Sequence, residues 1–283
     1  MNRSAFLSQL EAVNRPGSGR ASSYVRALDL LGEMIAVESL GFEDCRDVWT
    51  VESVERLEAL AAVVREQTNQ YETSPWNRPD FPKSYLRDGY CRAALRAYQE
   101  FLVEEVHTRN LLENLEDGHL DSDAIVQRLR RTPYLPHSLF ENGLIPDGRN
   151  ARRVIETRIN QNIFRRIILH IYENRCCLTG LDIPEVNRAS HIIPWAERES
   201  TRMDPCNGLC LSATYDAAFD RHLITFNHDY ELIVSKDLRD SLVSPAVQKH
   251  FIDRHGQPIG LPRDERWLPS QEYLQNHRKH GRF

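Results

Sequence analysis

The sequence predicts an α+β protein in which a helical N-terminal region is followed by a C-terminal module of mixed helix and strand. Apolar residues recur every three to four positions through residues 54–64 and again through residues 90–106, which is the spacing of one helix face. After residue 173 the spacing between apolar residues shortens, and short runs of residues typical of β-strands begin. These patterns divide the chain into a helical domain at 1–106, a linker at 107–148 and a third region at 149–283.

The N-terminal region is expected to form several helices separated by short breaks. A short leading helix is followed by a Pro-Gly-Ser-Gly break at Pro16–Gly19, and a second helix is predicted over Tyr24–Val37. The stretch Thr73–Ser84 contains three prolines, so it is predicted to be a loop. Within the polar, Pro- and Gly-punctuated linker, one short helical pattern covers residues 122–131.

The C-terminal region is expected to begin with an amphipathic helix over Ala151–Glu173 and to continue with strands. The strand-like runs are Ala189–Ile193, Leu223–Phe226 and Leu232–Ser235. One face of this helix is predicted to be an apolar stripe, and the arginines lie on the opposite face. The stripe consists of Val154, Ile155, Ile159, Ile163, Phe164, Ile167, Ile168 and Ile171.

The composition is that of a globular protein, with 41% hydrophobic and 27% charged residues. Because no apolar run approaches the roughly 18 residues that a membrane span needs, no membrane partner is expected. The N-terminus lacks the apolar stretch of a secretory signal, so a cytoplasmic location is expected. The six cysteines would then be reduced thiols.

The net charge is −5, but the distribution of charge along the chain is compatible with a nucleic-acid partner. Seven arginines stand between Arg149 and Arg175, against two glutamates. Such a patch can hold a phosphate backbone, and we expect Arg158, Arg165 and Arg166 to contribute to it. The alternative from charge alone is a solvated helix face.

A series of short motifs in the C-terminal region points to one chemistry. In order, they are Gln161 with Phe164 and Arg165, then CLTG at 177–180, SHIIPW at 190–195, NGLCL at 207–211 and DAAFD at 216–220. Together they resemble the HNH endonucleases, in particular the branch that reads AHIxPW, NGLxL and HxxFD. The resemblance covers residues 150–283. It implies a ββα-metal module that hydrolyses phosphodiester bonds of DNA with a divalent metal ion.

The resemblance implies roles for two residues outside the metal site. His191 stands where the family has its general base, and a histidine with a pKa near neutrality can take a proton from the attacking water. Asn207 stands at the family's middle position, at the turn into Gly208. It is expected to bond backbone groups across the loop and to hold the strands so that His191 faces the metal.

The resemblance also implies a metal site. Asp216 and Asp220 are four residues apart on a predicted helix, so both carboxylates leave the same face. Carboxylate oxygens suit Mg²⁺ or Mn²⁺ better than Zn²⁺. Ser190 stands where many relatives have Asp or His and would be a weak third ligand. The alternative for the two aspartates is a pair favoured by the helix dipole.

The cysteines argue against a structural Zn²⁺ site. Cys176, Cys177, Cys206 and Cys210 contain no C-x-x-C pair, so buried free thiols are expected.

Three functions are compatible with these patterns. The first is a DNA endonuclease, in a restriction or anti-phage setting, acting as a homodimer or with a defence-system partner protein while the N-terminal domain selects the target. The second is a non-catalytic nucleic-acid-binding or regulatory protein on an HNH scaffold, to which Ser190 and the acidic net charge point. The third is a nuclease subunit that is active only in complex with an ATPase or sensor.

Overall fold

The computed structural model describes residues 2–13, 18–116, 127, 148–240 and 244–283. The chain divides into two compact units, the first formed by Met1–His107 with Pro133–Ile159 and the second by Thr108–Thr132 with Asn160–Phe283. The predicted linker lies mostly outside the described residues, as does the helical pattern at 122–131 except for Gln127. The domain boundaries stay a prediction.

Helices dominate the first unit. Those described are α1 (Asn2–Val13), α2 (Arg20–Val37), α3 (Val54–Asn69), α4 (Lys83–Leu86) and α5 (Tyr90–Glu116), with 3-10 turns at Glu43–Cys45, Val48–Thr50 and Tyr71–Thr73. The proline-rich stretch is a loop until α4 begins at Lys83. Helix α5 continues ten residues past the apolar pattern that predicted it, to Glu116.

The core of the first unit is built on aromatic side chains. Phe6 of α1 meets Tyr98 and Phe101 of α5 edge to face, with ring centroids 5.4 and 5.5 Å apart. Trp76 is buried, and its indole Nε1 donates to the carbonyl of Glu38 at 2.8 Å, which satisfies its polar atom. The proline-rich loop is therefore fixed to the end of α2.

The second unit is α+β, as predicted. Its elements are α6 (Gly148–Ile171, which begins in the first unit), β1 (Asn187–His191), β2 (Gly208–Ser212), α7 (Ala213–Asp220), β3 (Ile224–Phe226), β4 (Leu232–Val234), α8 (Lys236–Arg239), α9 (Pro245–His250) and α10 (Gln271–Lys279), with 3-10 turns at Glu199–Thr201, Pro205–Asn207, Ile252–Arg254 and Glu265–Trp267.

Helix α6 buries most of the predicted apolar stripe, from Ile155 to Ile168. Val154 is an exception, since 64% of its surface is exposed, and its assignment to the stripe was wrong. The helix ends at Ile171, where the backbone turns through two left-handed residues, Glu173 (φ 52°) and Asn174 (φ 60°).

Strands β1 and β2 pair antiparallel, with Asn187 opposite Ser212 and His191 opposite Gly208. Helix α7 starts immediately after β2, which completes a ββα unit. Strands β3 and β4 form a second antiparallel pair, with Thr225 opposite Ile233. The ββα arrangement places β1 against the helix that carries Asp216 and Asp220.

Helix α10 is fixed to the ββα unit through His277. The His277 ring is buried and stacks on Phe219 of α7 with centroids 3.8 Å apart. Its Nε2 donates to the Phe219 carbonyl at 3.1 Å, and the hydroxyl of Thr225 on β3 donates to its Nδ1 at 3.0 Å. Burial lowers the pKa of His277 to about 4.

The six cysteines are free thiols, and all are buried except Cys206, which is half-buried. Burial raises the pKa of Cys45 to about 11 and that of Cys91, Cys206 and Cys210 to about 12. No helix in the described part of the chain is long and apolar enough to cross a membrane.

Candidate active site

The scaffold of the site is a close approach between α6 and the start of β2. Gly208 has no side chain, and a Cβ built on it would lie 2.2 Å from Ile168 Cδ1 and 2.9 Å from Phe164 Cζ. A larger residue at the start of β2 would have to displace Ile168 and Phe164, so the close approach favours glycine here. The reason is steric, because the φ of Gly208, −124°, is one that any residue adopts. The approach brings Phe164 next to His191, the residue that pairs with Gly208.

His191, the last residue of β1, is held on two sides by aromatic rings. Its imidazole stacks on Phe164 with ring centroids 3.8 Å apart and planes inclined by 16°. Trp195 meets the same ring edge-on at 5.4 Å. These contacts leave little freedom for rotation of the imidazole, and its orientation is set before any substrate binds.

The hydrogen bond of His191 defines which ring nitrogen is basic. Nε2 lies 3.0 Å from the backbone carbonyl of Arg202, and a carbonyl only accepts hydrogen bonds. Nε2 therefore carries the proton, and Nδ1 of the neutral ring keeps a free lone pair. Burial lowers the pKa of His191, while the bond to the Arg202 carbonyl opposes that shift. The ring is accordingly neutral at pH 7.

Asn207 is fully buried, and within the part of the chain that the structure describes its side chain bonds to backbone groups only. Its Oδ1 accepts from the amide of Ile193 at 2.7 Å, and its Nδ2 donates to the carbonyls of Ile193 and Thr201 at 3.1 and 3.0 Å. The expectation that this side chain bonds backbone groups across the loop agrees with these distances. It locks the loop that leaves His191, and its catalytic role stays a prediction.

Ser190 and Asp216 form a direct contact between β1 and α7. The Ser190 hydroxyl is buried and donates to Asp216 Oδ1 at 2.5 Å. This bond orients the carboxylate, and the second oxygen of Asp216 has no hydrogen-bond partner among the described residues. The structure thus gives Ser190 an orienting contact with Asp216, while its role as a metal ligand stays a prediction.

Asp220 is the last residue of α7 and lies one turn after Asp216 on the same face. The pKa of Asp220 is raised by partial desolvation and by the charge of Asp216, against the opposing effect of Arg221. A carboxylate at a helix C-terminus is also disfavoured by the helix dipole. The dipole explanation therefore fits Asp216, in the first turn, but not Asp220.

The imidazole and the carboxylates lie on either side of one strand. His191 directly follows Ser190, and consecutive side chains of a strand point to opposite faces. Ser190 faces Asp216 on α7, whereas His191 faces Phe164 on α6. No cluster of three or more His, Cys, Asp or Glu able to hold a metal ion is found in the described ranges. The expectation that His191 faces the residues of the metal site is therefore not met, and the assignment of Asp216 and Asp220 as metal ligands stays a prediction.

The three arginines expected to bind nucleic acid already have partners. Arg165 is half-buried and donates to the carbonyls of Asn187 and Pro184, each at 2.5 Å, and burial lowers its pKa. Arg158 forms an ion pair with Glu100. Arg166 is half-buried and also has a contact within the protein. Their phosphate-binding role stays a prediction, and Arg165 has in addition a structural role at the start of β1.

Two residues that position the His191 ring were not assigned this role from the sequence. Arg202 supplies the carbonyl that accepts from His191, and its guanidinium Nε donates to the carbonyl of Trp195 at 2.8 Å. Phe164 was predicted as part of the apolar stripe and of the motif that begins at Gln161, but not as the ring that stacks on His191. Every residue type has a backbone carbonyl, so the sequence could not show that the carbonyl of Arg202 accepts from His191.

The comparisons with known proteins cover the ββα unit. Comparison of the whole chain with curated proteins finds no match. Residues 176–227, which contain His191, Asn207, Asp216 and Asp220, match the family model described as HNH endonuclease.

Proposed function

We propose that this protein is a metal-dependent endonuclease that hydrolyses phosphodiester bonds of DNA, with His191 as the general base. The observation that carries the proposal is the 3.0 Å contact between His191 Nε2 and the Arg202 carbonyl. It leaves Nδ1 as the basic nitrogen of a neutral imidazole, which is the state a general base needs. The match of residues 176–227 to the HNH endonuclease model supports a nuclease.

In the proposed reaction, His191 takes a proton from the attacking water at Nδ1. The water oxygen forms a bond to phosphorus, the bond from phosphorus to the leaving oxygen breaks, and the leaving oxygen takes up a proton from solvent. The imidazolium that results still donates from Nε2 to the Arg202 carbonyl, which stabilises the positive ring. Phe164 keeps the ring in place throughout.

Asp216 and Asp220 are the residues that would hold the divalent ion. Their carboxylates are the hard oxygen donors that Mg²⁺ and Mn²⁺ take, and their mutual repulsion, which contributes to the raised pKa of Asp220, would be relieved by a cation. When bound, the ion would neutralise charge that develops on the phosphate. Because the imidazole and the Asp216 carboxylate face opposite sides of β1, the reacting phosphate would have to lie past His191, the last residue of the strand, where both groups could reach it. With two protein ligands, the ion would keep several waters and bind weakly.

Contacts to the DNA backbone away from the reacting phosphate are proposed for arginines around the site. Arg188 on β1 and Arg221 after α7 are exposed and lie close in sequence to His191 and Asp220. We retain Arg158, Arg165 and Arg166 as proposed contributors. The restriction or anti-phage setting, the homodimer and the defence-system partner are proposals from the resemblance alone.

The proposal is tested by incubating supercoiled plasmid with the purified protein in Mg²⁺, in Mn²⁺ and in EDTA. We expect cleavage with either metal and none in EDTA. His191→Ala should cut roughly 10²- to 10⁴-fold more slowly, the range for loss of a general base. His228→Ala is the matched control, because His228 is exposed on the turn between β3 and β4. Wild-type rates in His191→Ala would contradict the assignment of the base.

A second candidate is a non-catalytic nucleic-acid-binding protein on the same scaffold. The observation that favours it is the bond from Ser190 to Asp216, because a hydroxyl occupies the place where many relatives have a third metal ligand. This candidate predicts that the wild-type protein binds DNA but leaves the plasmid intact at every metal concentration. The same assay, with a binding measurement beside it, separates the two.

A further inference from the structure

A cavity of about 430 Å³ opens beside the C-terminal end of α6, in the second unit. This volume lies within the range of small-molecule and nucleotide sites. One wall is apolar, with Ile171 and with Leu261, which is 40% exposed, a large fraction for a leucine. Neither side chain belongs to the site around His191. The cavity therefore offers an apolar surface to a ligand.

The rim of the cavity is basic. Arg263 donates to both oxygens of Glu173, at 2.5 and 3.2 Å, so these two charges compensate each other. Arg175 is exposed, and among the described residues its guanidinium has neither a hydrogen bond nor an ion pair. One positive charge on the rim is thus uncompensated, which favours a ligand that carries an anionic group.

The rim is formed before any ligand binds. Glu173 and Asn174 are consecutive non-glycine residues with positive φ, a conformation that L side chains rarely adopt. The buried Asn187 side chain holds this turn, since its Nδ2 donates to the carbonyls of Asn174 and Leu181 at 2.8 and 2.7 Å. This turn fixes the position of Arg175, four residues after the end of α6.

We propose that this cavity binds an unpaired nucleotide of the nucleic-acid substrate, with the base against Ile171 and Leu261 and a phosphate on Arg175. The proposal rests on the proposed function, because it assigns a recognition site to the same nuclease. A fully paired duplex presents its phosphates but keeps its bases stacked, so it cannot fill an apolar cavity of this size. An unpaired nucleotide supplies both a flat apolar group and a phosphate.

The position of the cavity suits a substrate that also reaches His191. Phe164, the ring that stacks on His191, lies eight residues before Tyr172, which lines the cavity. At a rise of 1.5 Å per residue, this is about 12 Å along the helix. At about 3.4 Å per nucleotide, the distance corresponds to a few nucleotides of one strand. The nuclease would accordingly prefer to cut near an unpaired position.

The test measures binding with cleavage switched off, using full-length His191→Ala protein in EDTA and fluorescence anisotropy of short labelled DNA duplexes. One duplex is fully paired, and the other carries a single unpaired nucleotide. We expect about tenfold tighter binding of the second, the effect of one additional stacked base. Arg175→Gln should abolish this preference while binding of the paired duplex changes little. Arg239→Gln, at another exposed arginine of the same unit, is the matched control.

A second variant fills the cavity without touching its charge. A Cβ built on Gly260, whose φ is not positive, would lie 3.5 Å from the Cys177 carbonyl oxygen, so Gly260→Leu adds a side chain at the cavity wall without a clash at Cβ. It should remove the preference as Arg175→Gln does, with an unchanged melting temperature as the check on folding. Equal binding of both duplexes by the parent protein, or a preference that survives both variants, would overturn the proposal.

A free nucleotide carries the same base and phosphate as an unpaired nucleotide of the DNA. A competition experiment distinguishes these two ligands. A deoxynucleoside 5′-monophosphate that binds to the cavity, with no gain for the unpaired duplex, would overturn the substrate-borne form of the proposal. Failure of the nuclease proposal is measured independently, by plasmid cleavage with the unmodified protein. If the protein does not cut DNA but still prefers the unpaired duplex in a way that depends on Arg175, the assignment of the cavity would stand and the nuclease proposal would fail.

Discussion

The imidazole of His191 is partly buried, and burial favours its neutral form. A general base is active only when it is unprotonated, so cleavage should rise with pH through the pKa of His191 and then level off. Because that pKa is lowered from its usual 6.5, we expect kcat/KM to reach its plateau below neutral pH, with a slope of about one on the acid side. The measurement is a pH profile at saturating metal. An inflection above 6.5 would show that another group is the base.

The carboxylates of Asp216 and Asp220 serve one ion in the proposed site, so their effects should not add. We expect Asp216→Asn and Asp220→Asn each to lower the cleavage rate and to raise the metal concentration needed for half-maximal activity. The double variant should be only slightly slower than either single one. Metal titrations of the three variants against wild type provide the measurement. If Asp220→Asn binds the metal with normal affinity, Asp220 is not a metal ligand and has a structural role instead.

Arg165 acts on the scale of an element, because it joins α6 to the start of β1. Its two hydrogen bonds, to the carbonyls of Pro184 and Asn187, involve a charged and half-buried donor. We expect Arg165→Gln to lower the free energy of unfolding by about 2 to 4 kcal/mol, since charged hydrogen bonds contribute about 1.5 to 3 kcal/mol each and their losses partly overlap. Chemical denaturation measures this, with the exposed Arg239→Gln as the control. A stability equal to wild type would show that Arg165 is available to DNA.

The helices could be predicted because their apolar residues repeat with a helical period, and the predicted ends of α6 differ from the observed ones by only a few residues. Strand β2 was not predicted. Its residues Gly208–Leu211 are all buried, so the alternation of a half-exposed strand is missing. Helix α10 was not predicted either, because it buries only Leu274 and His277.

At the site, residue types could be predicted but their bonding could not. The motifs identified His191, Asn207, Asp216 and Asp220 as candidates, and the structure places them on a single ββα unit. The tautomer of His191 depends on a backbone carbonyl, and the bond from Ser190 to Asp216 depends on how β1 lies against α7. For Arg165, a helical pattern cannot distinguish an arginine that faces solvent from one that faces the next strand.

The stability of the second unit should depend on pH through His277. Its pKa is about 4 when folded and near 6.5 when unfolded, so the unfolded chain binds more protons between these values. The free energy of unfolding should therefore fall as the pH falls from 6.5 to about 4, by up to about 3 kcal/mol from this residue. Denaturation of wild type, His277→Gln and the control His228→Gln across this range is the measurement. An equally steep fall in His277→Gln would rule out His277 as its source.

The buried cysteines make the protein a convenient object for site-specific labelling. A thiol reacts with alkylating reagents as the thiolate, and the raised pKa values of Cys45, Cys91, Cys206 and Cys210 keep these groups protonated at neutral pH. A cysteine introduced on the surface, for example by His228→Cys, would ionise near its normal pKa and react first. A fluorophore could thus be placed next to the ββα unit without removing any native cysteine.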